Sequence, residues 1–184
     1  MAPGDRTGDR AVPTVRRAQP ADAGALAHLA ERTFRATFAA SNTRENLDAY
    51  CAGAYGEARQ AAEIADPAGA TFVCADGAEL FGFAQLRWGE APACVTAAKP
   101  AEIRRIYVDA RWHGRGLAQA LLAAAFAAAR QGNADRVWLG VWEHNPRALA
   151  FYRKAGFAVV GQHVFQLGED PQRDWVLCRA TPGD

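Results

Sequence analysis

The chain has 184 residues, 50% of them hydrophobic and 22% charged, and its 21 basic and 20 acidic side chains leave a net charge of +1. That length and apolar share suit one domain with a sizeable core. The balanced charge lends nothing to nucleic-acid binding, and no apolar run nears the ~20 residues that cross a bilayer. Residues 1–13 are mostly Gly, Asp, Arg and Pro without periodicity and read as a disordered leader. This polar start has no hydrophobic signal core, so the expected location is the cytoplasm. Residues 14–17 form a short strand. Pro20-Ala21-Asp22 opens a helix, in which Leu26, Leu29, Ala30, Thr33, Phe34, Thr37 and Phe38 recur as one apolar stripe. Ser41-Asn42-Thr43 is a turn and cap signal. A second helix over 44–55 carries Leu47, Tyr50 and Cys51, and a third over 57–65 ends at Asp66-Pro67.

Residues 71–75 and 80–88 read as two strands joined at Asp76-Gly77, a good hairpin signal. The Pro- and Ala-rich stretch 89–101 is either a mobile lid or a long connection. A strand over 102–108 follows. His113-Gly114-Arg115-Gly116-Leu117-Ala118 then opens an Ala/Leu helix over 116–130, with Leu117, Leu121, Leu122, Ala125 and Phe126 on its apolar face. Two glycines before a helix N-terminus, with its orphan N–H groups and positive dipole end, propose a cradle for a phosphate or pyrophosphate. No Gly-Lys-Ser/Thr follows, so it is not a P-loop. Gln119 stands where a dinucleotide fingerprint needs a third small residue, which disfavours a Rossmann domain. Gly132-Asn133 ends the helix. The run 137–142 is nearly all apolar, as in a central strand covered on both faces. Asn145 is a natural N-cap with Pro146 at the first helical position, and Gly156 stops that helix. Residues 157–165 and 174–179 supply the closing strands. Cys51, Cys74, Cys94 and Cys178 form no CxxC or Cys/His metal pattern, and Cys74 and Cys178 read as reduced core thiols. The expected architecture is α/β: residues 14–184 as a single domain, a mixed central sheet with helices on both faces.

Two motifs in this chain carry a resemblance. Arg111-Trp112-His113-Gly114-Arg115-Gly116 matches Gln/Arg-x-x-Gly-x-Gly/Ala, the coenzyme A pyrophosphate loop of the GNAT superfamily of N-acetyltransferases. Asn145, Ala148, Phe151, Tyr152, Gly156 and Phe157 reproduce that family's Asn-x-x-Ala-x-x-Phe-Tyr-x-x-x-Gly-Phe signature. With both in the right order, residues 12–179 resemble that family. The tail, 163–168 and 174–177, is similar to its bacterial polyamine acetyltransferase branch. The resemblance implies a GNAT-like acyl-CoA N-acyltransferase fold, acetyl-CoA as co-substrate and no metal. It places the pantetheine arm along Ile106, Tyr107 and Val108, the pyrophosphate over Arg111, His113, Gly114, Arg115, Gly116, Leu117 and Ala118, and further contacts at Asn145 and Tyr152. Arg111 and Arg115 are equally readable as solvated surface side chains, and Asn145 as a helix cap alone. The family's acceptor pocket would draw on Phe34, Phe38 and Tyr50, which otherwise simply pack on the sheet. The implied partner is a small-molecule amine rather than nucleic acid or membrane, with the protein a monomer or homodimer.

An amine attacking a thioester must first lose a proton, because a free alkylammonium has a pKa near ~10. A carboxylate, directly or through water, can take it. Glu102 and Glu143 are the candidate bases, each also readable as a solvated carboxylate or a cation anchor. His144 is a further loop candidate. Tyr152, with an ordinary pKa near ~10, suits protonation of the leaving thiolate, or else is a core tyrosine. The family's carbonyl-polarising N–H would lie near Val108. Glu102 and Glu143 with Trp142 and Tyr107 suit an alkylammonium through charge and cation–π contact, which favours a polyamine. The alternatives are a non-catalytic acyl-CoA-binding regulatory module and an acetyltransferase of a protein N-terminus.

Overall fold

The computed structural model describes residues 13–181, so all of the expected leader except Pro13 lies outside the described residues. In chain order the elements are β1 (Thr14–Arg17), α1 (Ala23–Phe38), α2 (Arg44–Ala54), α3 (Glu57–Ala65), β2 (Gly69–Asp76), β3 (Glu79–Trp88), β4 (Pro100–Val108), α4 (Leu117–Gln131), β5 (Arg136–Trp142), α5 (Pro146–Lys154), β6 (Ala158–Leu167) and β7 (Asp170–Ala180). The strands form one mixed sheet ordered β1-β2-β3-β4-β5-β7-β6. Alternation along β2 and β3 splits the core. Val73 and Phe83 face α1 and α2, whereas Cys74 and Ala84 face the first turns of α4. Helices α4 and α5 share the second face, where Leu122, Phe126, Leu149 and Tyr152 pack against Ile103, Val137 and Leu139.

One irregularity positions everything else. Strands β4 and β5 are the parallel pair in this sheet, joined across α4, but they pair only over Pro100–Arg136, Ala101–Val137 and Glu102–Trp138. Beyond Glu102 the two strands part, although β4 runs on to Val108 and β5 to Trp142. The other edge of β4 stays paired with β3 as far as Val108. The sheet therefore opens into a wedge, and one edge of β4 faces it without a strand partner.

A bulge decides which β4 side chains enter each side of the wedge. Gln85 pairs with Arg105 and Leu86 with Ile103, leaving Arg104 as an extra residue. Glu102, Arg105 and Tyr107 consequently share the face covered by α1–α3. A second bulge, at Val160, brings Gly161 opposite Val176 and His163 opposite Asp174.

The three-helix layer is tied to the sheet by buried polar groups. Arg105 Nη1 donates to Glu63 Oε2 at 2.9 Å and to Gln85 Oε1 at 2.7 Å. Gln85 Nε2 donates to Gln60 Oε1 and Glu63 Oε2 at 3.1 and 2.8 Å. Each partner satisfies the next, as burial requires.

The structure lengthens the closing strands and bears on the open reading of 89–101. The closing strands are longer than 157–165 and 174–179 and form a tight hairpin, because Gly168 turns the chain at φ +61° between Leu167 and Asp170. The connection between β3 and β4 is packed: Val95 is buried against Trp138 and Val176, and Asp135 accepts from the Ala98 and Lys99 N–H groups at 2.8 Å.

Candidate active site

At the mouth of the wedge, the turn after β4 leads into α4. Gly114 and Gly116 adopt φ +77° and +81°, a region that costs a side chain strain, and space around both is open. Gly116 is also the N-cap of α4, so no side chain satisfies the first N–H groups of the helix, and its first turn holds no acid. Uncapped donors and a positive dipole end thus face outward. They open onto a cleft of about 780 Å³ lined by Ile106–Val108, His113, Gly114, Gly116, Leu117, Ala118, Arg147, Asn145 and Tyr152, among others. His113 Nε2 donates to the Val108 carbonyl at 2.8 Å, steadying the end of β4.

Arg111 and Arg115 are not on this cleft. Arg111 donates through Nε and Nη2 to Asp109 at 3.2 and 3.0 Å, and those bonds hold the Asp109 carboxyl below its usual range. Arg115 stacks its guanidinium 4.9 Å from the centre of the Trp112 ring. Both shape the turn from its outer side.

A smaller cavity of about 210 Å³ lies deeper, lined by Phe34, Phe38, Tyr50, Glu102, Trp142, His163 and Asp174, with further residues. Its aromatic wall is continuous: Phe34 lies 4.6 Å from both Phe38 and Tyr50, and Phe38 lies 5.6 Å from Trp142. Ile106, Tyr107, Trp142, Asn145 and Tyr152 line both spaces and mark their junction. Tyr152 is 8% exposed, and burial raises its phenol well above the ordinary tyrosine range, so it stays protonated. Asn145 caps α5, accepting from Ala148 N–H at 3.0 Å, while its side also borders both cavities. Burial raises the Glu102 carboxyl, against the opposing pull of Arg104, His163 and Arg105.

Glu143 is placed elsewhere. Arg173 donates to its Oε2 through both Nε and Nη2, and Glu143 lines neither cavity. That pairing lowers its carboxyl below the usual range. His144 borders the larger cleft, edge-on to Trp142.

Residues 26–157 match the Acetyltransferase (GNAT) family. An uncharacterised N-acetyltransferase of Lactobacillus delbrueckii subsp. lactis is 32% identical over 83% of this chain and 88% of that protein. The chain belongs to the GNAT family of acetyltransferases. An aminoglycoside N(6′)-acetyltransferase type 1 of Stenotrophomonas maltophilia is 31% identical over 83% of the acetyltransferase and 91% of its own length. In fold, the acetyltransferase matches PaiA N-acetyltransferase of Thermoplasma acidophilum, solved with coenzyme A, at a TM-score of 0.73 and 19% identity, covering 91% of this chain and 98% of that one.

The acetyltransferase uses acetyl-CoA, which supplies an acetyl group activated as a thioester. The residues present fit it: a long cleft, an uncapped helix N-terminus with two open glycines, Arg32 and Arg147 on its walls, and the unpaired edge of β4. No cluster of metal-ligating side chains occurs among the described residues.

Among the residues of the deeper cavity that the sequence does not mark as site residues are Gly140 in β5, His163 in β6 and Asp174 in β7. A glycine inside an apolar strand is a known mark of close approach. Here a Cβ at Gly140 would stand 2.7 Å from His163 Nε2 and 3.1 Å from Asp174 Oδ2.

Proposed function

We propose that the acetyltransferase moves the acetyl group of acetyl-CoA onto a primary amine of a small cationic molecule, with a polyamine-like acceptor favoured. The observation that carries this reading is a pair of carboxylates, Glu102 and Asp174, in a cavity walled by aromatic rings. The cavity's own cations are already engaged: Arg105 with Glu63 at 2.9 Å and Arg104 with the same carboxylate at 3.6 Å. Glu102 has no ion pair among the described residues, and Asp174 meets only the His163 ring. An alkylammonium would gain charge pairing and cation–π contact there.

Size supports a slender acceptor. A space of about 210 Å³ falls below the ~300–1,000 Å³ of a drug-sized pocket and suits an extended amine arm. The aminoglycoside acetyltransferase relative acts, by its name, on a small molecule, which favours the same class. Tyr152, protonated and at the junction of the cavities, is the proton donor for the leaving sulfur in this reading. Asn145 borders the same point and contacts the pantetheine arm.

The test is coenzyme A release over a panel of putrescine, spermidine, spermine, an aminoglycoside and an N-terminal peptide. Turnover should favour the polyamines and rise with pH as the amine deprotonates. Turnover of the peptide alone would refute the assignment and leave the family untouched.

A further inference from the structure

We infer that His163 accepts the proton of the attacking ammonium, that Asp174 positions His163 for it, and that Glu102 anchors a second cationic centre deeper in the cavity. This rests on the cationic-amine reading above. Neither Glu102 nor Glu143 is then the base.

The argument begins with levels along β5. Trp142 borders both cavities, and Asp174 registers directly opposite it. His163 in turn registers opposite Asp174. Glu102 instead registers opposite Trp138. Those levels differ by four residues (142 − 138), about 13 Å at ~3.3 Å per residue of strand. The backbone of the pair on β6 and β7 is therefore level with the junction and that of Glu102 is not, while the His163 ring reaches back over Gly140 to 6.2 Å from the Trp138 ring.

The pair is also built to be met by a ligand. His163 Nε2 lies 3.8 Å from Asp174 Oδ2. Both approach through the space that a side chain at position 140 would fill. His163 Nε2 and Asp174 Oδ1 are buried without any hydrogen-bond partner, and Asp174 is only 8% exposed. Buried polar groups are satisfied in nearly every native protein, so two orphans converging on one cavity call for a donor from outside. An ammonium supplies N–H donors to both. The other ionisable groups around this space are Glu102, Arg104 and Arg105 of β4, and the phenols Tyr50, Tyr55, Tyr107 and Tyr152.

The step balances. The ammonium gives one proton to His163 Nε2, from which it passes to solvent. The neutral nitrogen then forms the C–N bond as the C–S bond breaks. The sulfur takes a proton from Tyr152, and the second proton lost by the nitrogen restores Tyr152 through water.

The experiment is steady-state kinetics against pH with putrescine, which has two amines, and butylamine, which has one. His163→Gln should lower kcat on both about 10²- to 10⁴-fold, the usual contribution of a general base, with the KM for acetyl-CoA kept. It should also remove the acid limb of the kcat profile. Added imidazole should restore turnover in His163→Gly. Asp174→Asn should shift that acid limb. Glu102→Gln should raise the KM for putrescine at least tenfold and that for butylamine far less. Calorimetry of putrescine with the coenzyme A complex should show the same loss. A His163→Gln enzyme with the parent's kcat and pH profile, or a Glu102→Gln enzyme that loses kcat on butylamine, overturns this division of roles alone. A parent enzyme that acetylates neither amine overturns the cationic-amine reading itself.

Discussion

Burial raises both the Tyr152 phenol and the Glu102 carboxyl. Tyr152 remains a phenol at any working pH because its phenolate would be desolvated. Tyr152→Phe keeps the ring packing against Phe157 and Phe151 and removes only the hydroxyl. It should lower kcat about 10²-fold, with acetyl-CoA affinity by calorimetry unchanged. Glu102 carries a different signature. Its folded pKa is raised, so the folded state holds its proton more tightly than the unfolded chain does. Ionising it therefore costs stability, a cost absent at acid pH and incurred as pH rises through the unfolded value, near ~4.3, and the folded one. Glu102→Gln should melt with the parent at acid pH and above it at neutral pH, by ~2–4 °C for each kcal/mol recovered. Thermal scans at both pH values check the sign.

At the scale of elements, the start of α4 is the clearest case of a helix end left unfinished. Thr43 caps α2 and Asn145 caps α5 with side-chain oxygens, but Gly116 offers α4 none. Beside this uncapped end β4 and β5 part, which leaves room for an anion. Gly116→Glu would force a side chain to φ +81° and aim a carboxylate at the anion's place. The strain alone is about 1–2 kcal/mol. Calorimetry should find coenzyme A binding abolished, while the far-UV circular dichroism of the variant stays that of the parent. The β6–β7 hairpin is the complementary element, bringing His163 and Asp174 over the gap at Gly140.

The whole molecule is two helical layers on a sheet that is split near its centre. A split sheet loses strand pairing where its site is, so the rest must hold the halves in place. On the α1–α3 side this falls to Glu63, Gln60, Gln85 and Arg105. Glu63→Ala would leave the Arg105 guanidinium, 8% exposed, without its carboxylate. Breaking such a buried pair costs about 3–5 kcal/mol, so a large drop in melting temperature is expected. Because Arg105 also borders the deeper cavity, the KM for the amine should rise before the KM for acetyl-CoA does.

The sequence by itself determined the order of the elements and the family, and proposed the anion cradle, because each is a local pattern. The 3.6-residue stripe of α1, Asp76-Gly77 at the β2–β3 turn, Gly114-x-Gly116 and the Asn145 cap all act within a few residues of themselves. Only the tertiary structure decided the inside of the deeper cavity. Strict alternation along β4 would put Glu102 and Arg104 on one face, and the Arg104 bulge instead sets Glu102 with Arg105 and Tyr107. Glu143 and Asp174 look alike as acids at strand ends, yet Arg173 holds the first outside and register aims the second inward. His163 lies far along the chain from Gly140, and the two meet because β7 pairs with both of their strands. Bulges, register and long-range ion pairs depend on partners distant in sequence, and no short pattern encodes them.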